Sequence, residues 1–310
     1  MVLIAFLFGI LGLLIGSFLN VVVLRKGIEP ITGRSHCSSC GYTLEWYDLV
    51  PVFSWIALGG RCRKCGSSIS VQYPLVEMLN GVLYGLVGGS IGLHLIAVFS
   101  WSYLVYVVCA LVIVSLLVVI TVYDFRHTII PDEWVYTFAA LALFIACVFP
   151  PQATSYKLLT VLSGPIAAFP LFLLWLVSGG RWMGLGDPKL ALGIGWLLGF
   201  PVGLIAIFLS FIIGTAILLP FMAFEKIITH MRPYKILSNG LSSLDKQSHI
   251  LRNFGISVYT QICDFLPRNS LAGLTIKSEV PFGPFLVASA LLLWFFQLYG
   301  ISFPLELLGL

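Results

Sequence analysis

Residues 95–127 read LIAVFSWSYLVYVVCALVIVSLLVVITVYDFRH: 29 residues, 95 to 123, pass without a charge before Asp124, Arg126 and His127 close the run. A hydrocarbon core of about 30 Å takes roughly 20 helical residues, so a stretch of this length and composition reads as a membrane crossing. The same pattern recurs along the chain. Apolar runs lie near 1–24, 74–92, 95–123, 134–149, 158–178, 188–200, 202–224 and 281–304, which predicts about eight transmembrane helices. The whole chain has the matching composition: 59% hydrophobic and 10% charged, with a mean hydropathy of +1.02. A soluble domain carries about 25% charged residues. The expected fold class is therefore an all-α polytopic membrane protein.

Two of the runs need separate argument. The first has no basic residue ahead of it and is too long for the core of a secretory signal, so it reads as a retained helix. The sixth, 188–200, has 13 residues and rises only about 20 Å. It is expected to tilt, thin the bilayer or stop part-way.

Lys and Arg set the orientation, since bases in short loops stay on the cytoplasmic side. With the amino terminus outside, Arg25, Lys26, Arg34, Arg61, Arg63, Lys64, Arg126, Arg181, Lys189 and the seven bases from Lys226 to Lys277 all fall inside, and only Lys157 falls outside. The net charge of +4 then reports topology and attraction to anionic lipid. No basic patch interleaved with aromatics points to nucleic acid.

The expected organisation is a first helix (1–24), a cytoplasmic cysteine module (25–73), a helical core (74–224), a cytoplasmic insertion (225–280), and a last helix with the C-terminus (281–310). The module contains a repeat, Cys37-Ser-Ser-Cys40-Gly-Tyr-Thr-Leu44 and Cys62-Arg-Lys-Cys65-Gly-Ser-Ser-Ile69. Four thiolates about 2.3 Å from one ion form a closed tetrahedral zinc shell, and Gly after each second Cys permits the positive φ of such turns. Zinc would supply folding energy that so short a segment lacks. Two disulfides or unrelated thiols are the other readings; cytoplasmic placement disfavours disulfides, and the flanking Arg34, Arg61, Arg63 and Lys64 are expected to favour thiolates. Cys109, Cys147 and Cys263 read as packing residues, and 225–280 as amphipathic helices on the membrane or a folded insertion.

Acids at membrane depth are costly and point to function. Asp124 ends the third run; Asp187 opens the sixth in Gly184-Leu185-Gly186-Asp187-Pro188-Lys189. Topology puts both on one face, and a carboxylate pair sharing a proton can activate water against a peptide bond. Asp187 before Pro188 reads as an N-cap and as the resting base, with Asp124 at a helix C-terminus as the acid. Gly184, Gly186 and Lys189 are candidate substrate contacts, the glycines allowing close backbone approach. Asp132 after Pro131 reads as a helix cap, Glu77 and Asn80 as hydrogen-bonding groups between helices, and His127 as an interface residue.

These motifs in this order resemble the bacterial type IV prepilin leader peptidases, membrane aspartyl proteases of the Gly-x-Gly-Asp kind. The likeness runs through Gly16-Ser-Phe-Leu-Asn20 to Arg25, both Cys pairs, Tyr73-Pro-Leu-Val-Glu77, Asp124 with Ile130-Pro131-Asp132, Gly184 to Lys189, and Pro281-Phe-Gly-Pro-Phe-Leu286. Residues 225–280 depart from it, being longer than the family's usual connection. The resemblance implies that Asp124 and Asp187 are catalytic and that the enzyme lies in the bacterial inner membrane. It also implies substrates, the precursors of type IV pilins and pseudopilins cut at the cytoplasmic face. Members with the cysteine region often also methylate the new amino terminus using S-adenosylmethionine. A zinc-stabilised membrane scaffold or transporter, and a presenilin-type intramembrane protease, are the alternative readings.

Overall fold

The computed structural model describes residues 2–28, 30–94, 101–149, 157–231 and 281–301. Most of the expected insertion, with Cys263, lies outside the described residues. Eight long helices stand where the apolar runs predict them: α1 (Val2–Arg25), α3 (Gln72–His94), α4 (Trp101–His127), α5 (Asp132–Val148), α6 (Lys157–Ser178), α7 (Gly186–Leu198), α8 (Val202–Met231) and α9 (Gly283–Leu298). Between α1 and α3 the chain forms a module with a short 3₁₀ turn, Trp46–Leu49, and a one-turn helix α2, Phe53–Ala57. Among the described residues, β structure is limited to two isolated bridges, both in this module. Among the described residues four helices, α1, α4, α6 and α8, are long and apolar enough to cross a membrane.

Helices in lipid gain nothing from mutual burial of apolar surface, so close approach and hydrogen bonding must hold them together. In α1 and α3 the small residues needed for this recur along one stripe of each helix. A Cβ on Gly12 would stand 2.6 Å from Tyr84 Cβ and 2.8 Å from Gly81 Cα; one on Gly16 would stand 2.8 Å from Glu77 Cα. The two backbones thus touch in an antiparallel pair. Asn80 Nδ2 donates to Gly12 O at 2.8 Å across the contact, as expected of an interhelical amide. Asn20 Nδ2 donates to Tyr73 O where α1 and α3 meet the module.

Around α7 the same economy governs polar backbone atoms. Pro165 inside α6 has no N–H to offer the carbonyl four residues back, which is Val161 O. Trp196 of α7 donates its indole Nε1–H to that oxygen at 2.8 Å. Gly164 makes room, since a Cβ there would lie 2.6 Å from the indole nitrogen. At the far end of α7, Gln297 Nε2 of α9 donates to Leu198 O at 3.0 Å, satisfying a last-turn carbonyl. The 13-residue α7 thus serves a carbonyl of α6 with one of its side chains and has one of its own last-turn carbonyls served from α9, backbone atoms that lipid could not solvate.

Gly12→Val forces backbone apart where α1 meets α3 and is expected to cost roughly 1–3 kcal/mol. Gly9→Ala is the control: its Cβ would meet only Gly81 O, at 3.6 Å. Thermal unfolding in detergent should show a clear loss for the first and almost none for the second.

Candidate functional site

Asp124 lies in the last turn of α4 and Asp187 in the first turn of α7. Both are buried, at 4% and 8% exposure, and Asp187 lies within the electrostatic reach of Asp124. Among the described residues neither carboxylate has an ion-pair partner. Two buried acids without a compensating cation are costly, which makes them candidates for a functional site.

Residues from two further elements hold the pair. α9 begins with Gly283, whose backbone N–H donates to Asp124 Oδ2 at 3.1 Å. A Cβ at that position would fall 2.5 Å from the same oxygen, so a larger residue would push the Asp124 carboxylate aside. Ile130, in the short turn between α4 and α5, is buried between the two glycines of the site: a Cβ on Gly186 would meet Ile130 Cβ at 2.9 Å, and one on Gly283 would meet Ile130 Cδ1 at 3.3 Å. Phe282 packs on Phe211 of α8, ring centroids 4.7 Å apart, which anchors the start of α9. Sequence reasoning named the elements containing Gly283 and Ile130 but gave these residues no role. The one available signal was the Pro-Phe-Gly-Pro string, a glycine at a helix start.

Several expectations change. Asp187 is not an N-cap: Leu185 is already in the helical region and takes that place, so Gly186 and Asp187 are inside the helix. Asp132 is not a cap either. Pro131 precedes the helix, and Asp132 instead accepts a hydrogen bond from Lys189 Nζ at 2.7 Å, joining α5 to α7. Lys189 also lies over the Tyr136 ring. Gly184 has only Gly186 N near its Cβ position, at 3.9 Å, so its surroundings are open. His127 is exposed and lies against the Tyr123 ring.

The module is built on two copies of one turn. Cys37 N–H donates to Tyr42 O and Gly41 N–H to Cys37 O, at 2.8 and 2.9 Å; Cys62 N–H donates to Ser67 O and Gly66 N–H to Cys62 O, at the same two distances. Gly41 and Gly66 have φ of +68° and +69°, the left-handed conformation that glycine adopts freely. The two turns face each other, and all four sulfurs lie within 4.8 Å of one another, with Cys37 and Cys65 at 3.9 Å. Four sulfurs about 2.3 Å from a central ion would be about 3.8 Å apart, so the donor set fits zinc. The Cys37 thiol is brought down to about 6 by the backbone N–H groups of Ser39 and Cys40 and the Ser67 hydroxyl. The hydroxyl and N–H of Ser67 also lower Cys65. Turn amides and Ser67 thus lower two of the four thiols. Cys40, despite its backbone bond to Tyr42, is pushed up to about 11 by desolvation and the neighbouring Cys65 and Cys37 thiols. Three charges of the flank are engaged elsewhere, Arg63 with Asp48, Arg34 with Glu45, and Lys64 over the Tyr42 ring.

Residues 10–90 match the bacterial peptidase A24 N-terminal domain, and residues 111–219 match the type IV leader peptidase family. A prepilin leader peptidase/N-methyltransferase of Myxococcus xanthus is 38% identical over 200 residues, 62% of this chain and 55% of that protein. Proteins of the same description from Pectobacterium carotovorum and Stutzerimonas stutzeri are 32% and 31% identical. Those matches cover 62% and 67% of this chain and 74% and 78% of the relatives. No solved structure matches the chain.

The module is expected to carry about one zinc per chain, measured by elemental analysis of freshly purified, reduced protein. Cys62→Ser should lower that stoichiometry and expose 25–73 to limited proteolysis while the helices stay protected.

Proposed function

Because the chain belongs to the type IV leader peptidase family, we propose that it is a membrane aspartyl endopeptidase that removes the leader of prepilins and pseudopilins and then methylates the new amino terminus. The observation that carries the proteolytic reading is the buried, mutually interacting pair Asp124 and Asp187, with Gly283 holding one oxygen of Asp124. Aspartyl proteolysis needs two carboxylates sharing one proton. One takes a proton from water as it attacks the scissile carbonyl, and the other gives a proton to the carbonyl oxygen and later to the leaving amine. The pair works as a coupled unit.

The substrate's apolar helix sits in the membrane with its scissile bond at the boundary, so the acids must lie at that depth. Asp124 and Asp187 stand at the ends of α4 and α7 and meet that need. The distribution of Lys and Arg supports placing this end on the cytoplasmic side of the bacterial inner membrane. The open surroundings of Gly184 leave space for an extended substrate backbone. Lys189 serves through its ion pair with Asp132, which ties α5 to the helix bearing Asp187.

Methyl transfer is assigned to the module and the helix ends below it. S-adenosylmethionine supplies the methyl group from a sulfonium centre. Zinc held by Cys37, Cys40, Cys62 and Cys65 would fix the fold of this region without entering the reaction, since a closed four-thiolate shell has no open position.

Asp124→Asn and Asp187→Asn should each abolish leader cleavage in the purified, folded protein, because an amide cannot exchange the shared proton. Mass spectrometry of a co-expressed prepilin reads this out, and appreciable cleavage by either variant would refute the assignment. Asp132→Asn should keep most activity, since an ion pair exposed on the Asp132 side contributes about 0–1 kcal/mol. Gly283→Ala displaces Asp124 and should lower kcat for cleavage at least about tenfold, with little change in KM.

A further inference from the structure

Beneath the cysteine module lies a cavity of about 500 Å³, within the 300–1,000 Å³ range of small-ligand sites. Its walls come from both halves of this region: Ser17 and Val21 of α1, Glu77 of α3 and Arg126 of α4 below, Asp48 and Cys62 of the module above. Two acids line it, and their situations differ. Asp48 is neutralised by Arg63 Nε at 2.8 Å. Glu77 is 6% exposed and accepts the Val52 N–H at 2.8 Å, but among the described residues it has no ion-pair partner. Arg25, Arg63 and Arg126 also line the cavity. Arg63, however, pairs with Asp48, Arg126 donates to Gln72, and Arg25 donates to the carbonyls of Pro30, Ile31, Thr32 and Arg34. Glu77, a buried carboxylate with no cation paired to it among the described residues, is matched to a cationic ligand.

The place of the cavity in the bundle is informative too. Arg126 lines it and lies two residues beyond Asp124 on α4. Side chains two apart on a helix point about 200° apart, so the cavity and the aspartates occupy opposite sides of the end of α4. A chain end released at the aspartates has one helix to pass to reach the cavity.

We propose that this cavity is the methyl-transfer chamber, with the Glu77 carboxylate holding a cationic centre of the reaction. This rests on the methyltransferase reading above. Two centres share that chemistry, the sulfonium of S-adenosylmethionine and the ammonium of the newly cut amino terminus. In the transfer the carbon–sulfur bond breaks with its electron pair on sulfur, the nitrogen lone pair forms the new bond to carbon, and the amine's proton goes to water.

Calorimetry on the full-length protein in detergent tests this with S-adenosylmethionine, with S-adenosylhomocysteine, which lacks the sulfonium charge, and with a precut pilin peptide. Glu77→Gln keeps the hydrogen bond to Val52 and removes the charge. If Glu77 faces the sulfonium, the variant binds S-adenosylmethionine about tenfold or more weakly and S-adenosylhomocysteine unchanged. If it faces the ammonium, both nucleosides bind as before and the KM for the precut peptide rises by a similar factor. Val21→Phe, which fills the cavity from α1, should weaken binding of both nucleosides, while leader cleavage by the same preparation certifies its fold. The proposal fails if both variants bind donor and peptide like the parent, or if Glu77→Gln impairs leader cleavage alone. A parent protein that neither binds S-adenosylmethionine nor methylates would overturn the methyltransferase reading itself.

Discussion

A backbone N–H or carbonyl at membrane depth has no water to turn to, and each one left unpaired costs several kcal/mol. Much of the described architecture follows from meeting that demand with side chains of neighbouring helices. Trp196 serves the carbonyl that Pro165 cannot, and Gln297 serves the end of α7. Asn80 crosses from α3 to α1. The glycines opposite these groups let the donors come close enough. α7 can therefore be short, and its first turn can start beside the end of α4, where the second acid is.

The acid pair uses the same device in reverse. Here the atom needing a partner is a carboxylate oxygen, and the partner is a free N–H at the start of α9, one of the first-turn amides that every helix leaves unpaired. Gly283 combines an available donor with the absence of a side chain, and Ile130 fills the space between it and Gly186. The site is thus the meeting of three helix ends and one turn, each held by packing outside the site, which is how buried acids keep a fixed geometry.

The module is joined to the bundle by few but directed bonds. Glu77 accepts from Val52, and Asn20 donates to Tyr73 at the foot of α3. Arg126 Nε donates to Gln72 Oε1 at 2.6 Å, linking the end of α4 to the start of α3. Arg25, at the end of α1, donates to the carbonyls of Pro30, Ile31, Thr32 and Arg34 and so shapes the entry to the module. These bonds leave a cavity instead of a dry seam between module and helices.

The eight apolar runs, the repeated Cys turns and the two exceptional aspartates were legible in the sequence because each is a local property: hydrophobic length, a five-residue turn, a charge where none is expected. Helix caps at Asp132 and Asp187 were misread, since both residues found distant partners that a local pattern does not contain. The amide on Asp124 comes from a residue 159 positions away, and the Glu77 carboxylate is bound by a loop 25 positions back. Ile130 acquires its place only when Gly186 and Gly283 close on it. By itself the sequence determined which segments form apolar helices and which residues carry charge or sulfur, because solvent transfer acts on each segment alone. The tertiary structure alone decided which amide, which carboxylate and which cavity face one another, because those pairings are made by helices packing across the whole length of the chain.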